Sequence, residues 1–268
     1  MTYRIGIIGG TGALGSAIAH GLITSATIAP GNILLGGRRG QGGLPGYPQV
    51  GYTYDLAALA ADCDVILLSL PPQQAHGLRV PVGDKLVMSV MAGITIDTIA
   101  RITGTPRIIR AMSSPAAAQR QAYSPWFPAP GCLDADHAIA RQIFSAIGAT
   151  DRLTIEAHLD VFTAITGPMP GFVALFAETM ADYARAQGIA PELAERAVRQ
   201  LFSAAGPVLA SPGQQVQAMI DYAGTTAAGM VAMREAGLGQ VVAAGLDAAV
   251  AKAREMGDDG QADPRPGL

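Results

Sequence analysis

A glycine-rich turn near the start of the chain constrains the fold more than any other sequence feature. Residues 3–8 form an apolar run typical of a buried strand, and residues 15–23 have the apolar periodicity of a helix. The joining residues, Gly10-Thr11-Gly12-Ala13-Leu14-Gly15, fit the pattern G-x-G-x-x-G. Between a strand and a helix this pattern is typical of a dinucleotide-binding site, because glycines let the backbone and the helix N-terminus approach a pyrophosphate. We therefore predict cofactor contacts for Gly10, Thr11, Gly12, Ala13, Leu14 and Gly15.

The residues after the second predicted strand indicate which dinucleotide binds. A site for NAD places an acidic residue about 20 positions after the glycines, where it binds the ribose 2′-hydroxyl. Here no Asp or Glu precedes Asp55, and the strand at residues 33–35 is followed by Arg38 and Arg39. Two permanent cations at this place suit a 2′-phosphate, so the sequence predicts NADP(H) as the cofactor.

Short apolar runs alternate with helical segments through the first half of the chain. Further strands are predicted at residues 65–70, 85–91 and 107–111, and further helices at 55–61, 94–102 and 134–147. The Gly- and Pro-rich residues 36–49 are predicted to be a loop. Strands that alternate with helices form parallel sheets with right-handed crossovers. The predicted fold class is therefore α/β, with a Rossmann-type parallel sheet in a dinucleotide-binding domain at residues 1–153.

The second half is predicted to be all-helical, since no strand pattern remains after Glu156. The predicted helices are residues 159–166, 171–187, 191–210, 214–222, 225–235 and 239–256. The helix at 171–187 is apolar around most of its circumference, as a helix buried in an interface would be. We predict a helical dimerisation and substrate domain at residues 154–257, assembling into a homodimer or higher homo-oligomer, and a flexible tail at 258–268.

Composition argues against several other classes of protein. The 18 basic and 21 acidic residues give a net charge of −3, which provides no cationic surface for nucleic acid. No uninterrupted apolar run reaches the ~18 residues of a membrane span. The two cysteines, Cys63 and Cys132, have neither metal-ligand spacing nor enough partners for a disulfide framework. We expect a cytoplasmic protein with a small-molecule substrate and without a metal, nucleic-acid or membrane partner.

Few side chains are available for acid–base chemistry. Lys85 and Lys252 are the only lysines, and neither lies at the start of the helical half, where the β-hydroxyacid dehydrogenases carry their catalytic lysine. His76 follows a predicted strand close to where a nicotinamide would pass, and we interpret it as a loop residue. Tyr222 is a candidate general acid, because a phenol can donate a proton.

Six short stretches, spread along residues 3–257, resemble the pyrroline-5-carboxylate reductases. They are the glycine turn at 7–12, the apolar strand and Pro-Pro-Gln at 65–73, the strand ends at 91–95 and 107–112, the segment 160–167, and the Gly-Thr-Thr helix start at 224–229 leading into 234–237. The resemblance implies a Rossmann domain, a helical domain that dimerises by interlocking helices, and hydride transfer from NAD(P)H to a cyclic imine.

The resemblance also implies roles for individual residues. Thr226 matches the threonine that hydrogen-bonds the imine nitrogen and helps to protonate it. The matched cofactor positions are Leu70, Pro71, Ala92 and Gly93. The matched substrate positions are Met112, Ser113, Thr166, Pro168, Met169, Gly224 and Thr225, of which Met112 and Ser113 would border the nicotinamide together with Ala92 and Gly93.

The chain departs from the family where the family binds the substrate carboxylate. Pro168 removes a backbone N–H and a matched serine hydroxyl, and Asp221 introduces a negative charge. We therefore expect an altered substrate pocket that favours a neutral or cationic cyclic imine. Two alternatives remain open, a carbonyl or F420-type NADP oxidoreductase on the same scaffold and a non-catalytic NADPH-binding sensor protein.

Overall fold

The N-terminal half of the chain folds around a seven-stranded sheet. The structure, a computed structural model, describes residues 3–37, 43–167 and 169–258. Its strands are β1 (Ile5–Ile8), β2 (Ile33–Gly36), β3 (Gly51–Thr53), β4 (Val65–Leu68), β5 (Leu86–Ser89), β6 (Ile108–Ala111), β7 (Ala122–Tyr123), β8 (Trp126–Pro128) and β9 (Gly148–Ala149). By internal contacts the chain divides into two units, Met1–Gly167 with Ala248–Leu268, and Pro168–Asp247.

The strand order of the large sheet is β3-β2-β1-β4-β5-β6-β8. All neighbouring pairs are parallel except β6 and β8, and Ile5 pairs with both Ile33 of β2 and Val65 of β4. The chain order of the strands therefore reverses beside β1, so that the connections after β1 and β4 leave the sheet in opposite directions. In open α/β sheets such a reversal opens a crevice at the carboxyl ends of the strands.

Helices cover both faces of this sheet. They are α1 (Ala13–Thr24), α2 (Leu56–Asp62), α3 (Ile96–Thr103) and α4 (Asp134–Ala146), and a fifth helix, α5 (His158–Thr166), follows them in the chain. Consecutive residues of β1 point to opposite faces, with Ile7 in the apolar cluster beside α1 and α4, and Ile8 in the cluster beside α2 and α3. Asp55 determines where α2 begins, because its carboxylate accepts hydrogen bonds from the N–H groups of Ala57 and Ala58.

The remaining helices are α6 (Met169–Ala186), α7 (Pro191–Ala204), α8 (Pro212–Asp221), α9 (Thr225–Glu235) and α10 (Leu238–Asp258). Among the described side chains of residues 169–247, only those of Ala181, Ala194 and Ala227 are buried. Large apolar side chains such as Leu175, which is 61% exposed, lie on the surface of the single chain. Side chains of this kind are normally covered in a folded protein, so these helices have an apolar surface suited to an interface.

The α/β fold with a Rossmann-type sheet and a helical second half is confirmed, with three corrections. The sheet is not wholly parallel, because β8 adds an antiparallel edge strand. The short strands β3, β7, β8 and β9 were not predicted. The helix predicted at 191–210 ends at Ala204, because Pro207 lacks an N–H and disfavours helical backbone at Gly206, and a 3-10 turn over Gly206–Ala210 follows.

The predicted domain boundary at residues 153 and 154 stays a prediction. Helix α5 and the last turns of α10 belong to the same unit as the sheet. Most of the predicted tail, residues 259–268, lies outside the described residues.

Candidate active site

The turn after β1 requires glycine because side chains there would meet backbone atoms. Gly9 has φ +85°, in the left-handed region that favours glycine, and its Cα faces the carbonyl oxygen of Ser69. A Cβ at Gly15 would lie 2.5 Å from the Gly9 carbonyl oxygen, and a Cβ at Gly10 would lie 2.8 Å from that of Ile7. The backbones at the ends of β1 and β4 and at the start of α1 are thereby held in close contact.

Helix α1 begins directly after this turn with no side-chain cap. Its N-cap residue, Gly12, has extended backbone and no side-chain oxygen to accept the first N–H groups. Unpaired N–H groups and the positive end of the helix dipole make a helix N-terminus suitable for an anion. The start of α1 can therefore bind a phosphate through its backbone.

A groove of about 560 Å³ lies at the carboxyl ends of β1 and β4, where the strand order reverses. Its described lining residues are Ile8, Gly9, Thr11, Gly12, Gly37, Leu56, Ser69, Leu70, Pro71, Gln74, His76, Gly77 and Leu78. Four predicted cofactor residues, Thr11, Gly12, Leu70 and Pro71, are brought together on its walls. We call this space the dinucleotide groove, after the shape and position of such sites in Rossmann sheets.

Several predicted cofactor residues are not among the described lining residues of the groove. Gly10, Ala13, Leu14 and Gly15 are not among the described lining residues, and Gly10 and Gly15 act through close packing instead. Arg38 and Arg39 lie outside the described residues. Gly37, which precedes them, lines the groove, and its carbonyl oxygen accepts a hydrogen bond of 3.1 Å from the Tyr52 hydroxyl.

Ala92 and Gly93 follow β5 and do not line the groove among the described residues. Gly93 has φ +73°, and its Cα faces the carbonyl oxygen of Ala253 and the backbone of Gly257 in the last turns of α10. The glycine therefore permits close packing of this loop against α10. Its predicted contact with the nicotinamide stays a prediction.

A buried ion-pair network lies next to Met112 and Ser113, which follow β6. Arg110 in β6 is buried and pairs with Glu156 at 3.0 Å and with Asp160 of α5 at 2.6 Å. The Glu156 carboxylate also accepts a 3.0 Å hydrogen bond from the N–H of Ile96 at the start of α3. The network fixes the start of α5 against β6, and sequence reasoning missed it although an arginine in an apolar strand was its signal.

The substrate residues predicted in the first unit are close to this network or on α5. Met112 and Ser113 are buried, and the Ser113 hydroxyl oxygen accepts a 3.0 Å hydrogen bond from the Ser124 hydroxyl. The Thr166 hydroxyl donates to the Phe162 carbonyl oxygen at 2.7 Å, which leaves its lone pairs free to accept. Pro168 and the side chain of Met169 lie outside the described residues.

The turn between α8 and α9 brings the predicted catalytic residues together. Gly224 is the N-cap of α9, and Thr225 and Thr226 are its first two residues. Tyr222 is 86% exposed, and its ring lies over Gly224, where a Cβ would be 3.2 Å from two ring carbons. Ala223 joins them with φ +55°. Tyr222 and the two threonines thus share one short segment, although their hydroxyls are exposed in the single chain.

Both cysteines lie in surroundings that disfavour the thiolate. Both cysteines are free, and burial raises the pKa of the Cys63 thiol to about 11 and that of the Cys132 thiol to about 11. A thiol with so high a pKa is protonated at neutral pH and is a poor nucleophile. No group of three or more His, Cys, Asp or Glu is placed to hold a metal ion within the residues that the structure describes.

Two protein-family models match the chain. The model described as "Pyrroline-5-carboxylate reductase dimerisation" matches residues 156–256, and the model described as "NADP oxidoreductase coenzyme F420-dependent" matches residues 4–93. The first match includes all residues of the α8–α9 turn, and the second includes the glycine turn and the dinucleotide groove.

Curated relatives and solved structures agree with these matches over nearly the full length. Pyrroline-5-carboxylate reductase 2 of Bacillus subtilis is 28% identical over 247 residues, which is 87% of each chain. The pyrroline-5-carboxylate reductase of Methanosarcina acetivorans is 28% identical and covers 95% of this chain and 98% of its own. The NADP-bound pyrroline carboxylate reductase of Plasmodium falciparum shares the fold, with a TM-score of 0.79, 23% identity and coverage of 95% and 98%.

One stretch in the described part of the chain has the composition of a membrane-crossing helix. Residues His158–Ala186 are long enough and have a mean hydropathy of 1.4. The same stretch opens the region that matches the dimerisation model. Helices buried between subunits have the same apolar character, so this composition is weak evidence for a membrane.

Proposed function

We propose that this chain, which belongs to the pyrroline-5-carboxylate reductase family, is an NADPH-dependent reductase that transfers hydride to the C=N bond of a cyclic imine. The observation that carries the proposal is the pairing, in one chain, of a dinucleotide groove with a helical half that matches the dimerisation region of these reductases. The curated relatives bearing this name cover the chain almost from end to end.

NADP(H) is the cofactor, and the groove fits it in three respects. Its wall contains the glycine turn, in which side chains at the close-packed glycines would collide with neighbouring backbone. The start of α1 has no side-chain cap and can bind the pyrophosphate. Two of the groove's lining residues, Ser69 and His76, have buried polar atoms without a protein partner. We assign the 2′-phosphate to Arg38 and Arg39, which follow the groove residue Gly37 in the chain.

When bound, NADPH supplies the hydride that reduces the imine carbon. The chain must then hold the imine carbon next to the cofactor and deliver a proton to the imine nitrogen. We assign the proton to the Thr226 hydroxyl, or to a water that it holds, with the Tyr222 phenol as the second candidate. Both hydroxyls belong to the turn that opens α9, whose N-terminal N–H groups can also orient a polar substrate.

We propose further that the substrate lacks the carboxylate of pyrroline-5-carboxylate. Asp221 ends α8 beside Tyr222, and its carboxylate accepts a 2.8 Å hydrogen bond from the Gln217 side chain, which keeps it on this segment. A fixed negative charge there would repel a substrate carboxylate. Pro168 offers no N–H, so a further donor for a carboxylate is missing at that position.

The chain forms homo-oligomers through the region that matches the dimerisation model. We propose that the basic assembly is a dimer formed by α6 to α10, because these helices expose large apolar side chains in the single chain. We also propose a cytoplasmic location, since both cysteines are free and a reducing compartment keeps them so.

The experiment measures NADPH oxidation at the nicotinamide absorbance with a panel of substrates. We expect turnover with 1-pyrroline and a lower kcat/KM with pyrroline-5-carboxylate. A higher kcat/KM for pyrroline-5-carboxylate would contradict the altered pocket and leave the reductase proposal standing.

A second candidate function follows from the match of residues 4–93 to the F420-dependent model. Coenzyme F420 and simple ketones therefore belong in the same panel. Turnover with either of these and none with an imine would favour the second candidate. Binding of NADPH without turnover of any compound would favour a sensor protein.

A further inference from the structure

The dinucleotide groove contains one ionisable side chain among its described lining residues, that of His76. Its other walls are apolar side chains, glycines, and the neutral polar residues Thr11, Ser69 and Gln74. The bound dinucleotide carries several negative charges and many hydroxyls. Within the described wall, polar contacts to the dinucleotide must come from the backbone and from the side chains of Thr11, Ser69, Gln74 and His76.

Two of these side chains have buried polar atoms without a partner. In the described part of the chain, three buried side-chain atoms lack a hydrogen bond, and they are Ser69 Oγ, His76 Nε2 and the hydroxyl of Tyr3. Tyr3 packs in the apolar cluster beside β1 and does not line the groove. Folded proteins pair nearly all their buried polar groups, so unpaired atoms in residues that line a groove are candidates to bind a ligand there.

The strand order indicates which half of the dinucleotide Ser69 and His76 would lie beside. Ser69 directly follows β4, and its N–H donates a 2.8 Å hydrogen bond to the carbonyl oxygen of Ile8 in β1. His76 comes shortly after the 3-10 turn Pro72–Gln74 that leaves the same strand. A Rossmann sheet binds one mononucleotide on each half, and the first half here comprises β1 to β3 with the glycine turn. Ser69 and His76 follow β4, the first strand of the second half.

We propose that Ser69 Oγ and His76 Nε2 bind the ribose-phosphate oxygens of the nicotinamide nucleotide. This assignment rests on the proposed function, in which NADPH occupies the groove. It replaces the interpretation of His76 as a loop residue with a cofactor-binding role. The two side chains fix the position of the nicotinamide nucleotide rather than selecting between NADPH and NADH.

The test compares dissociation constants, measured by titration calorimetry, for NADPH, NADH and 2′,5′-ADP, which lacks the nicotinamide nucleotide. We expect His76→Leu to raise the Kd of NADPH and of NADH by the same factor of about 10, the loss of one good hydrogen bond. Ser69→Ala should raise both by roughly 3-fold to 10-fold for the same reason. The Kd of 2′,5′-ADP should stay within about twofold of the wild-type value in both variants.

Two further variants control for structure. His76→Gln retains an amide N–H and should recover most of the affinity that His76→Leu loses. His137→Leu removes a histidine of α4 that does not line the groove and should leave all three dissociation constants unchanged. Because the unbound His76 Nε2 is unpaired, we expect His76→Leu to unfold at no lower temperature than the wild type without cofactor.

The possible failures of this test are distinguishable. If the wild-type protein binds no NADPH, the proposed function fails. If the wild type binds NADPH and His76→Leu binds it equally well, only the present inference is overturned. It is also overturned if His76→Leu weakens 2′,5′-ADP as much as NADPH, because the contact would then lie on the adenosine half.

Discussion

At the scale of single residues, the cofactor site depends mainly on glycines, because the absence of a side chain lets backbone segments approach each other. Gly9, Gly10 and Gly15 bring three backbone segments into contact, and Gly12 leaves the start of α1 uncapped. The charged contribution that the sequence predicts comes from Arg38 and Arg39, which follow Gly37 in the chain. Backbone approach and cation placement are separate properties, and separate substitutions test them.

The arginine pair is tested by the variant Arg38→Ala/Arg39→Ala. Each charge-assisted hydrogen bond to a phosphate is worth ~1.5–3 kcal/mol, so the loss of two should raise the Kd of NADPH by roughly 100-fold to 10,000-fold. The Kd of NADH should change little, because NADH has no 2′-phosphate. Titration of both cofactors measures the ratio, and an equal loss for both would show that these arginines do not bind the 2′-phosphate. Arg141→Ala, on α4, is the matched control.

The close packing of the turn is tested by Gly15→Ala. Its new Cβ would lie 2.5 Å from the Gly9 carbonyl oxygen and 2.8 Å from the Gly10 Cα, so the backbone must move. We expect a loss of ~1–3 kcal/mol in the free energy of unfolding, together with weaker NADPH binding. Gly31→Ala is the control, because a Cβ there meets nothing within 4 Å. Equal stability of the two variants, measured by chemical denaturation, would contradict the packing role.

Elements of secondary structure were predictable where their residues carry a periodic signal. Strands β1, β2, β4, β5 and β6 are runs of buried residues, so they could be identified without knowledge of their neighbours. Strands β7 and β9 have two residues each, and they form only because their backbones pair with each other. The edge strand β8 likewise depends on its pairing with β6.

The same distinction applies to the site. The glycine turn could be predicted because its conformation is encoded locally in residue type. The groove-lining roles of Ser69 and His76 could not, since they depend on which atoms lie beside them after folding. An arginine in an apolar strand indicates a buried ion pair at Arg110, but its partner Asp160 lies 50 positions away and could not be predicted.

The Arg110 network connects three elements, and its removal tests how strongly they depend on each other. Arg110→Met would leave the carboxylates of Glu156 and Asp160 without their buried partner, at a cost of ~3–5 kcal/mol in the free energy of unfolding. Arg185→Met removes pairs with Asp182 and Glu195 that are partly exposed, and should cost about 1 kcal/mol or less. Chemical denaturation at one protein concentration compares them. Equal losses would mean that the network contributes no more than a surface pair.

At the scale of the whole molecule, the two halves of the chain differ in how far one copy can bury its own residues. The sheet and its helices have two apolar clusters of buried residues. The described side chains of residues 169–247 include three buried alanines and many exposed large apolar residues. Burial of apolar surface is the main favourable contribution to folding, so we expect this half to depend on a second copy for its stability.

The dependence on a second copy is tested by Leu175→Glu. Leu175 lies on α6 and is 61% exposed in the single chain. If the proposed dimer covers this position, a glutamate there would bury an unpaired charge, which is strongly unfavourable. We expect light scattering to show a shift toward monomer and calorimetry to show a lower unfolding temperature. Leu133→Glu is the control, because Leu133 is 54% exposed at the start of α4, outside the helical half. A dimer of unchanged stability for Leu175→Glu would contradict the proposed interface.

The central claim, that this chain transfers hydride from NADPH to an imine carbon, is tested most directly by isotope transfer. The protein is incubated with 1-pyrroline and NADPH that carries deuterium at both C4 positions of the nicotinamide, and the product is examined by mass spectrometry. The account predicts pyrrolidine with one deuterium on the ring carbon that was the imine carbon. Formation of no deuterated amine from 1-pyrroline or pyrroline-5-carboxylate, by protein that binds NADPH, would contradict it.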